Sequence, residues 1–196
     1  KFDDYGDHAL LVAFGFADAP VEIHLHLGAF GIVTIHRNGS KALEPTYRFI
    51  AGGGAGSGAT ALYRILDTLA DSFFPELDRI GDEIDTLTGA MLQRPSVQQR
   101  EELFLLRRRL VGLRRVTTPQ RDVLARDGQR LAELDGIEDG EAHRWLRDVY
   151  DHLVRISEEI DTGRDMLAGS LDIYLSTVSN RLNEISKQLA IVATIF

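Results

Sequence analysis

The 196-residue sequence contains no cysteine, which excludes disulfides, zinc fingers, iron–sulfur clusters and thiol chemistry. It also lacks any run of about 20 consecutive apolar residues, so no segment of it reads as a bilayer span. No secretory leader is visible, because the opening KFDDYGDHALLVAFGF starts acidic and offers no cleavage site. Basic charge is scarce overall. Thirty acids against 22 Lys and Arg give a formal net charge of −8, the opposite of a nucleic-acid-binding footprint. What is present is a normal globular complement, 44% hydrophobic and 27% charged, enough for one core or for a core with a long helical arm.

The first 56 residues read as strands. Ala9–Phe16 is a short apolar run, and Val21–Leu27 alternates, with Val21, Ile23, Leu25 and Leu27 on one face and Glu22, His24 and His26 on the other. Phe30–His36 is rich in β-branched residues, and Leu43–Ile50 reads as a short helix with Pro45 in its first turn. Period-two alternation with tight connections predicts an antiparallel sheet with one buried face. Ala51–Ala59 holds five glycines in nine residues and reads as a flexible joint. Its degenerate glycine spacing follows a predicted helix and lacks a Lys-Ser/Thr pair, so it is not a phosphate loop.

Everything after the joint has helical periodicity, giving an α+β chain: a sheet region (1–56), two long antiparallel helices (57–140) and one very long stalk helix (141–196). The first helix is expected from about Ser57 to Leu92, kinked at Pro75, with Leu62, Leu66, Leu69, Phe73, Leu77, Ile80, Ile84, Leu87 and Met91 on one stripe. The second carries Leu103, Leu106, Leu110, Leu113, Thr117, Gln120 and Leu124, with Pro119 as another candidate kink. The third carries an unbroken stripe from Leu146 to Phe196, roughly 80 Å of helix at 1.5 Å per residue, which calls for partners beyond one copy of the chain. Charge divides along the same lines: seven acids and one Arg over 67–85, ten Arg and four acids over 94–130, eleven acids and four Arg over 133–165. The reading is an acidic–basic–acidic helical set held by interhelical ion pairs, and the Arg clusters do not make a nucleic-acid surface.

Three groups of residues could carry chemistry. Asp165, Gly169, Asp172, Ser176, Ser179, Asn183, Ser186 and Ala190 recur at steps of four and three on the stalk helix. Small polar residues at that spacing suit close helix association around an axis, and rings of carboxylates, hydroxyls and amides suit a cation path. The same stripe also fits an ordinary polar face. Asp135, Glu138, Asp139, Glu141, Asp148 and Asp151 offer hard oxygen ligands, with no calcium-loop spacing. His24, His26 and His36 could hold zinc, although alternation puts the first two on the polar side of the sheet. No Ser/His/Asp constellation stands out, so no enzyme is expected.

The helical part resembles a known family. LDIYLSTVSNRLNEISKQLAIVATIF from Leu171, LRDVYDHLVRISEEIDTGRDMLAGSLD over 146–172, DSFFPELDRIGDEIDTL over 71–87 and LRRRLVGLRRVTTPQRDVL over 106–124 are similar, in the same order, to the CorA family of magnesium and cobalt channels. The resemblance implies a homopentamer at a cell's inner (plasma) membrane. Each subunit would have a cytosolic α/β domain, a stalk helix entering the first membrane span, and a Gly-Met-Asn motif after that span. Neither spans nor motif occur here, and both ends of the sequence read as cut, so the expectation is a cytosolic funnel fragment. Carried over by position, Asp172 would ring the pore mouth, with Ser179, Asn183, Ser186 and Leu189 lining the path above it. Asn183 matches the pore amide and Leu189 the hydrophobic constriction, while Ser186 stands where the family often has Met. Asp148, with Asp151 beside it, would bind regulatory Mg2+ between subunits, its usual partner carboxylate lying N-terminal to Lys1. Mg2+ would be cargo and regulator, with Co2+ or Zn2+ possible, since zinc-transporting relatives share the architecture. The alternative is a soluble helical scaffold that oligomerises without transporting anything.

Overall fold

The protein is described here by a computed structural model covering residues 1–37 and 41–195, without the Lys41 side chain. Four strands, β1 (Phe2–Asp4), β2 (Ala9–Phe16), β3 (Pro20–Gly28) and β4 (Gly31–His36), are followed by helices α1 (Glu44–Ala51), α2 (Gly58–Asp71), α3 (Phe74–Gln93), α4 (Val97–Ala132) and α5 (Ala142–Ile195). The sheet order is β1-β2-β3-β4, antiparallel throughout. The strand expectations hold, and β1 is an addition, too short to show a period. Gly28 pairs with Gly31 across the two-residue turn Ala29-Phe30, and Gly31, at its exit, takes a φ of 104°, a conformation that glycine adopts at little cost. Phe196, the expected last member of the stalk stripe, lies outside the described residues.

The described chain divides into two compact units. The first comprises Lys1–Leu77 and Gly112–Glu159. Here Ala9, Leu11 and Ala13 of β2 and Ile23, Leu25 and Leu27 of β3 are buried on one sheet face, as alternation requires, together with Leu62, Ile65, Leu66 and Leu69 of α2. Two side chains finish the hydrogen bonding of β2: Phe16 N donates to Ser72 Oγ at 2.7 Å and Phe14 N to Gln120 Oε1 at 2.8 Å. Gln120, expected on an apolar stripe, therefore sits there because it caps a strand amide.

The expected single helix over 57–92 is two helices, α2 and α3. Pro75 lacks the N–H that a continuous helix needs, so it opens α3 instead of kinking a longer one. The stripe survives the break, with Leu62, Leu66, Leu69, Phe73, Leu77, Ile80, Ile84 and Met91 all buried. Pro119 lies within an uninterrupted α4.

The second unit comprises Asp78–Val111 and residues 160–196. Ile80, Ile84 and Met91, Leu103, Leu106 and Leu110, and Ile160, Leu167 and Tyr174 are among its buried residues on three helices. Gly163 admits Leu110, whose Cδ1 would lie 3.1 Å from any added Cβ. Thr88 and Ser170 join their hydroxyls at 2.6 Å, and Arg109 pairs with Glu83 as the charge pattern predicts.

The glycine-rich joint is less free at its end than its composition suggests. Ser57 caps α2 by accepting from Thr60 N at 3.2 Å. A Cβ on Gly58 would overlap the carbonyl oxygen of Gly136, and one on Gly136 would stand 2.6 Å from that of Gly28. Sheet, α2 and the connector before α5 thus meet through three glycines. Gly58→Ala is expected to destabilise the first unit by about 1–3 kcal/mol, the usual cost of overpacking, read as a lower urea midpoint. An unchanged midpoint would show that the backbone there yields.

Candidate metal site

Two helical ladders face each other within the first unit. On α2, Tyr63, Asp67 and Asp71 recur every four residues; on α5, Asp148, His152 and Arg155 recur at four and three. Each set falls on one helical face because 3.6 residues make a turn. Tyr63 Oη donates to Asp148 Oδ2 at 2.9 Å, and its ring stacks on Trp145 with centroids 5.9 Å apart. Burial, the bond to Asp148 and the charge of Asp67 push the Tyr63 phenol up to about 12, so it remains a neutral donor at physiological pH.

One turn further on, His152 Nδ1 lies 3.3 Å from Asp67 Oδ1 and 3.2 Å from Asp71 Oδ1. These distances suit ion pairing, yet Asp67 Oδ1 and His152 Nδ1 are both buried without a hydrogen-bond partner. The Asp67 carboxyl is raised above the ordinary range, chiefly by burial and then by Asp71, with Asp148 adding and His152 and Arg64 opposing. Phe74 closes the far side, its ring edge-on to His152 at 6.4 Å and covered by the Arg155 guanidinium at 4.8 Å.

One ligand atom each from Asp67, Asp71 and His152 lies within 4.8 Å of the others. Two orphaned buried atoms of ligand type, on converging carboxylates and an imidazole, fit a divalent cation. The carboxylate oxygens suit Mg2+, and the imidazole suits Co2+ or Zn2+ better.

The expected residues are distributed unevenly around this centre. Asp148 belongs to it through Tyr63 and through its charge on Asp67. Asp151 is exposed on α5 and outside the cluster. Asp139 Oδ1 is taken up by Glu141 N at 3.0 Å in the connector. The three strand histidines do not converge: His24 bonds Glu22 at 2.6 Å, and His36 pairs with Ile23 in the sheet, which puts it on the opposite face from His24 and stacks it on Tyr47. Asp172, Ser179, Asn183, Ser186 and Leu189 all lie exposed on the one continuous α5. Asp67, Asp71, His152 and Tyr63 were not singled out from sequence. The available signal was the four-residue spacing of each set, but nothing local says that the two helices face each other.

Comparison with known proteins is consistent across the chain. The family profile described as CorA-like Mg2+ transporter protein matches residues 1–196. The cobalt/magnesium transport protein CorA of Thermotoga maritima is 42% identical over 138 residues, which is 69% of this chain and 38% of that protein. The zinc transport protein ZntB of Pectobacterium carotovorum is 27% identical over 146 residues, 74% of this chain and 43% of that one. The complete structure of the CorA magnesium transporter from Methanocaldococcus jannaschii superposes with a TM-score of 0.83 at 23% identity, covering 100% of this chain and 64% of that one, and shows the same fold. The chain thus spans well under half the length of the two curated relatives. No helix among the described residues is long and apolar enough to cross a membrane.

The raised Asp67 carboxyl makes a signed prediction. The folded state holds this proton to higher pH than the unfolded chain, so stability falls as pH rises from the ordinary Asp value to the raised one. Above that window the ionised, buried carboxylate is a fixed cost. In chelator-treated buffer Asp67→Asn is therefore expected to raise the thermal midpoint at pH 7, the gain vanishing near pH 3. Equal midpoints at pH 7 would mean that His152 offsets the burial in full.

Proposed function

The chain belongs to the CorA-like Mg2+ transporter family, and we propose that it is the cytosolic, cation-sensing part of a divalent-cation transporter. The observation that carries this reading is the Asp67–Asp71–His152 cluster with Asp148 beside it, where buried ligand atoms lack hydrogen-bond partners. A bound divalent ion supplies there the positive charge that the carboxylates lack. Without it Asp67 on α2 and Asp148 on α5 repel each other, and the repulsion biases how α2 meets α5. Tyr63 holds Asp148 ready, and in an oligomer a carboxylate of a neighbouring subunit would complete its ligand set.

The second half of the reading concerns α5. From Arg181 to Ile195 every described residue is exposed, including Leu182, Ile185, Leu189 and Val192 of the apolar stripe. That stripe fits packing against other copies, as a homopentamer does, with the transporter seated in the cell's inner membrane. Asp172, Ser179, Asn183, Ser186 and Leu189 would then face the axis, where a carboxylate, hydroxyls and an amide suit a hydrated cation and Leu189 narrows the path. Transport of Mg2+ or Co2+ needs no catalytic residue of this chain. The His152 imidazole favours a second reading, a zinc-handling member, because nitrogen ligands suit Zn2+ more than Mg2+.

Titration of Mg2+, Co2+ and Zn2+ into the chain, read by thermal midpoint and by fluorescence of Trp145, its one tryptophan, tests this. A true ligand at a hundredfold excess over Kd stabilises by about 2.7 kcal/mol, or roughly 5–10 °C at this size. Asp71→Asn and His152→Ala are expected to remove most of that shift. A shift from Zn2+ alone favours the zinc reading. No shift from any of the three ions, or shifts untouched by both substitutions, would refute the sensing site.

A further inference from the structure

The turn joining α3 to α4 has a charge opposite to that of the molecule. From Thr86 to Arg100 there is no acid, while Arg94 and Arg100 flank the turn, in a chain of net charge −8. The turn itself is firmly built: Ser96 Oγ accepts from Gln99 N at 3.2 Å and Gln99 Oε1 accepts from Ser96 N at 2.9 Å, a reciprocal cap that fixes the start of α4. On this stiff turn two large apolar side chains stand outward, Leu92 at 60% and Val97 at 57% exposure. Phe104, one heptad beyond Val97, is also exposed at 48%, between Arg100 and the exposed Arg107 and Arg108. Arg94, Arg100, Arg107 and Arg108 take no ion pair among the described residues, whereas Arg109 beside them is bound to Glu83.

Position along the second unit adds to this. The Thr88–Ser170 hydroxyl contact sets α3 beside α5. Arg109 on Glu83 runs α4 back along α3, and Leu110 at Gly163 with Leu103 and Arg100 near Leu167 and Leu171 runs α5 back along α4, so α3 and α5 share a direction and the turn stands level with about residues 175–178 of α5. The last charge on α5 is Lys187, roughly 15 Å further along at 1.5 Å per residue. A lipid headgroup layer and an extended arginine together span on the order of that distance.

We propose that the α3–α4 turn docks on an anionic lipid surface, Arg94 and Arg100 meeting headgroup phosphates and Leu92 and Val97 entering the interface. This rests on the reading that α5 leads toward a bilayer. Free arginines next to exposed apolar side chains suit an anionic, amphipathic surface. A second copy of the same turn would instead bring like charges together.

Flotation of the 196-residue chain with phosphatidylcholine vesicles, with and without phosphatidylglycerol, tests the proposal. Binding is expected to require phosphatidylglycerol, to weaken with salt, and to fall about tenfold or more in the Arg94→Gln/Arg100→Gln variant, with a smaller fall in Leu92→Ser/Val97→Ser. All four positions are exposed, and an unchanged thermal midpoint confirms that the variants fold. Equal binding by variant and parent, which would place the contact on α5 instead, overturns the proposal. So does equal binding to neutral vesicles, or a variant that changes sedimentation mass but not vesicle binding, which would make the turn a contact between copies. The divalent-ion midpoint shift separates the two ideas: it persists if only the lipid contact is wrong, and it is absent if the sensing reading is wrong.

Discussion

Helix α5 is longer than anything that covers it, and most of the protein's behaviour follows from that mismatch. Its apolar stripe is buried at Leu146, Val149, Leu153, Ile156, Ile160, Gly163, Leu167 and Tyr174. Beyond Val178 the same spacing continues with nothing against it: Leu182 is 60% exposed and Leu189 64%. An isolated helix of about fifteen residues is marginal in water, so this segment needs surface from elsewhere to stay ordered. The apolar content that makes it unstable alone also suits it to the packing between copies proposed above.

The same helix positions the carboxylate–imidazole cluster. Val149, Leu153 and Ile156 bury one face of α5, which leaves Asp148 and His152 on the flank toward α2. On α2 the buried set Leu62, Ile65, Leu66 and Leu69 similarly turns Tyr63, Asp67 and Asp71 to meet them. Packing brings the ligands together, and the electrostatics is divided: Asp71 and Asp148 raise the Asp67 carboxyl, while His152 opposes them. Core packing thus holds Asp67 of α2 and Asp148 of α5 closer than their charges favour, an arrangement in which a small ion can have a large effect.

How much of this could be read from the sequence depended on how local the signal was. The alternation of Ile23, Leu25 and Leu27 and the helical stripe from Leu62 to Met91 were legible because each residue's burial repeats with the element's own period. Pro75 was misread as a kink because its ring is compatible with either a bend or a helix start, and only the cap at the end of α2 decides between them. Gly58 reads as part of a flexible joint but is close-packed against Gly136, since contact across 78 residues leaves no local trace. Asp148 stood out by resemblance. Asp67, Asp71 and His152 did not, because their spacing is common on any helix and only the tertiary pairing of α2 with α5 gives it chemical meaning.

Cation binding and assembly, if both act through α5, are thermodynamically bound to each other. On the proposed reading, a divalent ion that lowers repulsion at Asp67, Asp71 and Asp148 would favour whichever arrangement of subunits leaves those carboxylates close, and that arrangement would in turn bind the ion more tightly by the same factor. The coupling needs no contact between the cluster and the small polar stripe from Asp172 to Ser186. It needs only one continuous helix whose placement both of them depend on, and α5 runs unbroken from Ala142 to Ile195. On the proposed reading, a change at either end of α5 would disturb its own function directly and the other by linkage.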